Sequence, residues 1–240
     1  MSHRIRSTLI AILLAGLLVA CAAPATAVPT FEPTPVPIVV TAIPDIPVNQ
    51  ITIPTGEGDG TIKATITGNG DIAVMIHKHR MDTDTRSYWT PLVDSLSANE
   101  KLRIVTYTLR RYETALKDGR LVLDYLRAEG ITRIICISGG IGQVCTDLQQ
   151  EPELIGMVKF PGDNLTPVEA DFPKLFVAAD SDPNGFALSL QQAYDDSTEP
   201  KTFKSYATTA EGPAIFAKPD VGPQVLADIT DFINGIVSGQ

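Results

Sequence analysis

Residues 134–142 read Ile-Ile-Cys-Ile-Ser-Gly-Gly-Ile-Gly, an apolar stretch running straight into a glycine-rich turn. A serine nucleophile is often presented in such a place, because in G-x-S-x-G the serine sits on a sharp strand-to-helix turn that exposes its hydroxyl. In the frame set by the apolar stretch the turn is Ser138-Gly139-Gly140-Ile141-Gly142, so Gly140 occupies the nucleophile position. Shifting the frame by two residues makes Ser138 the nucleophile, but it puts Cys136 at the first glycine and shortens the strand. A serine also needs a base to take its proton, and the only histidines, His3, His77 and His79, all precede the turn. His77 and His79 share a face if their strand continues, as a metal site requires. No third ligand is evident, however, and Lys78 and Arg80 adjoin them, so neither a metal nor a cofactor is expected. The two histidines are read instead as lining a pocket mouth. Backbone N–H groups around Gly140, that of Ile141 included, would face the cleft at the start of the next helix, where anions bind readily. His77, His79 and Ile141 are therefore the expected contacts of a small-molecule or anionic ligand.

The elements that must position these residues begin well along the chain. Arg4 and Arg6 precede an apolar run, Leu9 to Ala20, that is short for a membrane span, and Leu18-Val19-Ala20-Cys21 follows. Residues 1–21 are read as a bacterial lipoprotein signal, with Cys21 acylated and the chain anchored outside the cytoplasm in the cell membrane or envelope. Residues 22–49 carry Pro24, Pro29, Pro33, Pro35, Pro37, Pro44 and Pro47. They are read as an extended tether with a reach of roughly 80–90 Å at ~3.1 Å per residue. Beyond residue 21, 17 Lys and Arg stand against 28 Asp and Glu, a net charge of −11. That balance excludes a nucleic-acid partner, which needs a basic face to neutralise phosphates. Cys136 and Cys145 are read as two buried free thiols, with a disulfide as the alternative.

From residue 50 to 240 the pattern is that of one α/β domain. Strands are expected at 51–55, 61–67, 71–76, 104–109, 133–137, 154–159, 174–179 and 201–206, the first two forming a hairpin around Gly-Glu-Gly-Asp-Gly. Trp89, Leu92, Val93 and Leu96 have helical spacing, as do Phe186, Leu190 and Tyr194, and Leu226, Ile229, Ile233 and Val237. Leu116, Leu123 and Leu126 line a helix that should end at Gly130. Alternating strands and helices imply a mainly parallel sheet covered on both faces.

This order resembles the α/β-hydrolase superfamily, especially its small lid-less dienelactone-hydrolase and esterase members. Residues 73–77 lead into a loop and the Trp89 helix, like the family's oxyanion-loop region. Arg110-Arg111-Tyr112 is similar to its Arg-Gly-aromatic turn, and residues 123–130 are similar to the helix before the elbow strand. Pro173 through Pro183 looks like the strand and turn that carry the acidic triad member, which the resemblance places at Asp182. The histidine loop falls at 206–216, where Ala210-Glu211-Gly212 puts Glu211 in the position of the base. The resemblance thus implies a degenerate triad of Gly140 (or Ser138), Asp182 and Glu211 in a tethered protein with a binding or pseudoenzyme role. The alternative is an active serine hydrolase of esters or thioesters that uses Ser138 with a non-standard base. A carboxylate at 211 would be a poor base, and beside Asp182 the two charges would repel, raising a pKa.

Overall fold

The computed structural model describes residues 48–56, 60–78, 86–139, 143–162 and 165–239. Residues 1–21 and nearly all of the 22–49 tether, together with Cys21, His79, Gly140 and Ile141, lie outside the described residues. Eight strands form a single sheet: β1 (Val48–Pro54), β2 (Thr61–Thr67), β3 (Ile72–Lys78), β4 (Leu102–Thr108), β5 (Ile134–Ser138), β6 (Leu154–Lys159), β7 (Lys174–Ala179) and β8 (Lys201–Tyr206). Their order is β1-β2-β4-β3-β5-β6-β7-β8. β1 pairs antiparallel with β2 and β2 antiparallel with β4, and every later pairing is parallel.

Side chains alternate between the two faces along each strand, and each face has its own core. On one face Ala73, Met75, Val105, Tyr107, Ile134, Cys136, Met157 and Phe176 pack under α2 (Ala115–Ala128), α3 (Val144–Asp147) and α4 (Phe186–Asp196). On the other, Val74, Ile76, Ile104, Ile135, Ile137, Val158 and Val177 pack under α1 (Arg86–Ser97) and α5 (Gly222–Ser238). Trp89, Leu92 and Leu96 are the buried stripe of α1, and Val225, Ile229, Ile233, Ile236 and Val237 that of α5. α2 stops where Gly130 adopts φ 80°, a left-handed turn that glycine enters at little steric cost. Among the described residues no helix is long and apolar enough to cross a membrane.

The free-thiol expectation is corrected. Cys136 and Cys145 form a disulfide with Cα atoms 5.6 Å apart, closing the segment from β5 through the elbow turn to α3. The spacing of nine residues gives no hint of this, because it depends on α3 packing beside β5. The stripe of α2 also differs from expectation. Its buried face includes Asp118 and Gly119, while Leu116 is only partly covered. Asp118 is fully buried because Arg110 closes over it: the backbone N–H of Arg110 donates to Oδ2 at 2.8 Å, and Nε and Nη2 donate to Oδ1 at 2.9 and 2.6 Å. A buried carboxylate is tolerated when it is paired and hydrogen-bonded in this way. The contact fixes the turn after β4 against α2.

Candidate active-site cleft

In a doubly wound sheet a ligand crevice opens outside the carboxyl ends of the strands, where the winding direction reverses. Here that point lies between β3 and β5, since β4 is added on one side of β3 and β5 on the other. Of the residues singled out from the sequence, His77, Ser138, Asp182 and Glu211 are described, and they lie at these carboxyl ends or in the loops that leave them.

Ser138 is the last residue of β5 and is 4% exposed. It therefore belongs to the strand, which Gly139 follows. The backbone packs closely there: a Cβ on Gly139 would stand 3.3 Å from Trp89 Cζ2 and 3.5 Å from Phe160 Cβ. Below it Trp89, Phe160 and Phe216 pack edge to face, with ring centroids 5.7–5.9 Å apart. α3, which follows the turn, has only four residues. A single turn aligns few peptide dipoles, so the field expected to draw an anion to this helix start is weak.

His77 is in β3 and is 1% exposed. It does not line an open rim. Its ring lies 6.4 Å from that of Tyr107 on the α2 side of the sheet. The pairing of β3 with β5 runs to Ile76 and Ile137, so His77 and Ser138 are the next residues along adjacent strands. Even so, among the described residues no hydrogen bond joins the Ser138 hydroxyl to a ring nitrogen of His77.

Asp182 and Glu211 do come together. Asp182 follows β7 and accepts hydrogen bonds from the backbone N–H of Asn184 at 2.8 Å and of Ala187, in the first turn of α4, at 2.9 Å. Glu211 follows β8 and stands at the N-cap position of the short 3₁₀ segment Gly212–Ala217, without a side-chain capping bond. The Asn184 side-chain amide donates to Glu211 Oε1 and so links the two loops. The Glu211 carboxyl is raised above its ordinary value, first by desolvation and then by its hydrogen bond to Asp182, while Asn184 acts in the opposite direction.

The consequence for stability has a definite sign. Folding binds the Glu211 proton more tightly than the unfolded chain does, so this contribution favours the folded state at low pH and is lost as the pH rises through the raised value. Glu211→Gln should therefore be slightly more stable than the native chain near neutral pH. The gain should be no more than about 0.5 kcal/mol, because the group is partly solvated, and it should vanish below the ordinary carboxylate range. Urea denaturation at the two pH values checks this, and a clear loss of stability near neutral pH would contradict it.

Two contributors escaped the sequence reading. Asn184 was visible as the third residue of an Asp-Pro-Asn-Gly turn, but its reach to residue 211 is a matter of tertiary structure. Lys159 closes an apolar strand and is 2% exposed, its Nζ donating to Thr146 Oγ1 at 2.8 Å and to the Thr166 carbonyl at 2.7 Å. Burial lowers its pKa to about 8, against the opposing pull of Asp147. It is the cross-strand neighbour of Ser138 and ties α3 to the 165–168 segment, which Gln143 also holds by accepting from the backbone N–H and hydroxyl of Thr166.

No family model matches the sequence, and neither does any curated protein. Solved structures do match. A thermophilic carboxylesterase cloned from a metagenomic library superimposes with TM-score 0.60 at 16% identity, covering 78% of this chain and 89% of that one. A dienelactone hydrolase from Anabaena variabilis gives 0.58 at 13%, covering 78% and 96%. A hyperthermophilic esterase from Pyrobaculum calidifontis gives 0.56 at 15%, covering 79% and 85%. With an eight-stranded, mostly parallel sheet, an antiparallel N-terminal pair and helices on both faces, the chain has the α/β-hydrolase fold.

Proposed function

We propose that this chain is a membrane-tethered lipoprotein whose α/β-hydrolase scaffold no longer hydrolyses esters and instead binds a small or anionic ligand in the former cleft. The observation that carries the reading is the position of Glu211, held by the Asn184 amide against the loop of Asp182, at the place where the resemblance implies a histidine. Ester hydrolysis by a serine needs one group that takes the hydroxyl proton and then returns it to the leaving group, and imidazole does both near neutral pH. A carboxylate is a poor base for a serine hydroxyl and a poor proton donor to the leaving group. Glycine at 140 removes the nucleophile as well, and loss at both positions weighs more than loss at either.

Fluorophosphonate labelling and turnover of an activated ester by the full chain test this reading. The native chain should stay at background, as should Gly140→Ser and Glu211→His singly. The double variant should regain weak turnover, on the order of 10² above either single change, which is the worth of one well-placed oxyanion donor. Labelling of the native chain that is lost in Ser138→Ala would overturn the reading in favour of a Ser138 hydrolase, with His77 or His79 as the candidate base. The tether is tested separately. The native chain should fractionate with membranes and Cys21→Ser should be released in soluble form, whereas a native chain that is already soluble would refute the anchor.

A further inference from the structure

The two edges of the sheet are built differently. β8 carries Lys201 and Lys204, with Lys204 exposed and 3.6 Å from Asp228. An exposed lysine such as Lys204 blunts a strand edge against pairing, whereas Lys201 donates to the Tyr194, Asp195 and Ser197 carbonyls. β1, Val-Asn-Gln-Ile-Thr-Ile-Pro, has seven residues and no charge, and Val48 is 61% exposed. The hydrogen-bond phase of this edge is defined. Thr55 N–H donates to the Gly60 carbonyl at 3.0 Å, one step beyond the Pro54–Thr61 pair. Because hydrogen-bonded pairs alternate along an antiparallel ladder, residues 49, 51 and 53 bond to β2. The N–H and C=O groups of Val48, Gln50 and Thr52 therefore face outward. Pro54 falls in the same phase and has no N–H to offer, so an added ladder must stop at Thr52.

We infer that β1 is the pairing edge for a second copy of this chain, joined antiparallel about a dyad at Gln50. In that register Gln50 faces Gln50 of the second copy, and Val48 faces Thr52 in both directions. Each pair can exchange two backbone hydrogen bonds. The side chains brought together are uncharged, and the Val–Thr pairs are β-branched, which suits cross-strand packing. A copy of the same strand matches the length limit that Pro54 sets, since its own outward groups end at the same residues. The neutrality of the edge matters for the choice of partner. The chain has a net charge of −9, so two copies repel at most other surfaces but meet no opposing charge on this strand. A strand-edge contact is small, and the dimer is accordingly weak.

Cysteine scanning tests the register in the full chain carrying Cys21→Ser, which removes the tether thiol. Opposed residues of a hydrogen-bonded antiparallel pair have Cα atoms about 5.5 Å apart, within disulfide range. Mild oxidation should therefore convert Gln50→Cys to a covalent dimer, while Asn49→Cys, which faces Ile51 of the second copy, should remain single. Sedimentation equilibrium of the chain without introduced cysteines should show a monomer–dimer transition between about 1 and 100 µM. Gln50→Lys, which sets two ammonium groups against each other at an exposed position, should weaken that transition at least tenfold while leaving the far-ultraviolet circular dichroism unchanged. A chain that stays monomeric throughout this range overturns the proposal, even if it captures strands from other proteins. So does equal cross-linking from residues 49 and 50.

Discussion

Replacing both Cys136 and Cys145 with alanine should lower the unfolding free energy by about 2.5 kcal/mol, the loop-closure value for a bridge spanning nine residues. For a domain of this size that is a fall in Tm of roughly 5–10 °C. The bond joins the middle of β5 to α3, with both cysteines at most 1% exposed, so the unfolded chain gains freedom where the elbow turn must form. Scanning calorimetry of the native and double-alanine chains measures the loss. Thiol titration of the denatured, unreduced chain should find no free thiol at 136 or 145. Two reactive thiols there, or an unchanged Tm in the double variant, would mean that the bridge does not form.

A loss at least as large is expected from Gly70→Ala, about 3 kcal/mol. Gly70 lies just before β3, and its N–H donates to the Leu102 carbonyl at 3.2 Å, holding it against the start of β4. A Cβ at this position would fall 2.0 Å from the backbone carbon and oxygen of Lys101. Neither atom belongs to a side chain that could swing aside, so the strand start must move, and β3 is the strand flanked by β4 and β5 at the reversal point. Gly235 is the control. It is exposed within α5, and a Cβ there meets nothing within 4 Å. Gly235→Ala should stabilise by roughly 0.5–1 kcal/mol through helix propensity alone. Denaturant titration of both variants decides the matter, and equal effects would show that backbone crowding at residue 70 is not what selects glycine.

Much of the fold was legible because it rests on local periodicity. β2, β6, β7 and β8 have the bounds read from alternation and apolar runs, and the other strands differ by at most three residues at either end. The helices around Trp89, Leu123, Leu190 and Ile229 stand where the 3.6-residue spacing put them. Such patterns record which side of each element meets solvent, and a chain expresses that without knowing its distant neighbours. The same reasoning placed the end of β5 within one residue, at Ser138. Only the tertiary structure decided the rest. Cys136 bonds to Cys145, Arg110 covers a fully buried Asp118, and His77 is turned into the core beside Tyr107. Asn184 and Glu211, 27 residues apart, meet because parallel β7 and β8 release their loops at the same end of the sheet. Composition and spacing assign a residue to a face or a loop. Which charged or sulfur-bearing groups become neighbours depends on strand order and register, which are set by the packing of the whole sheet.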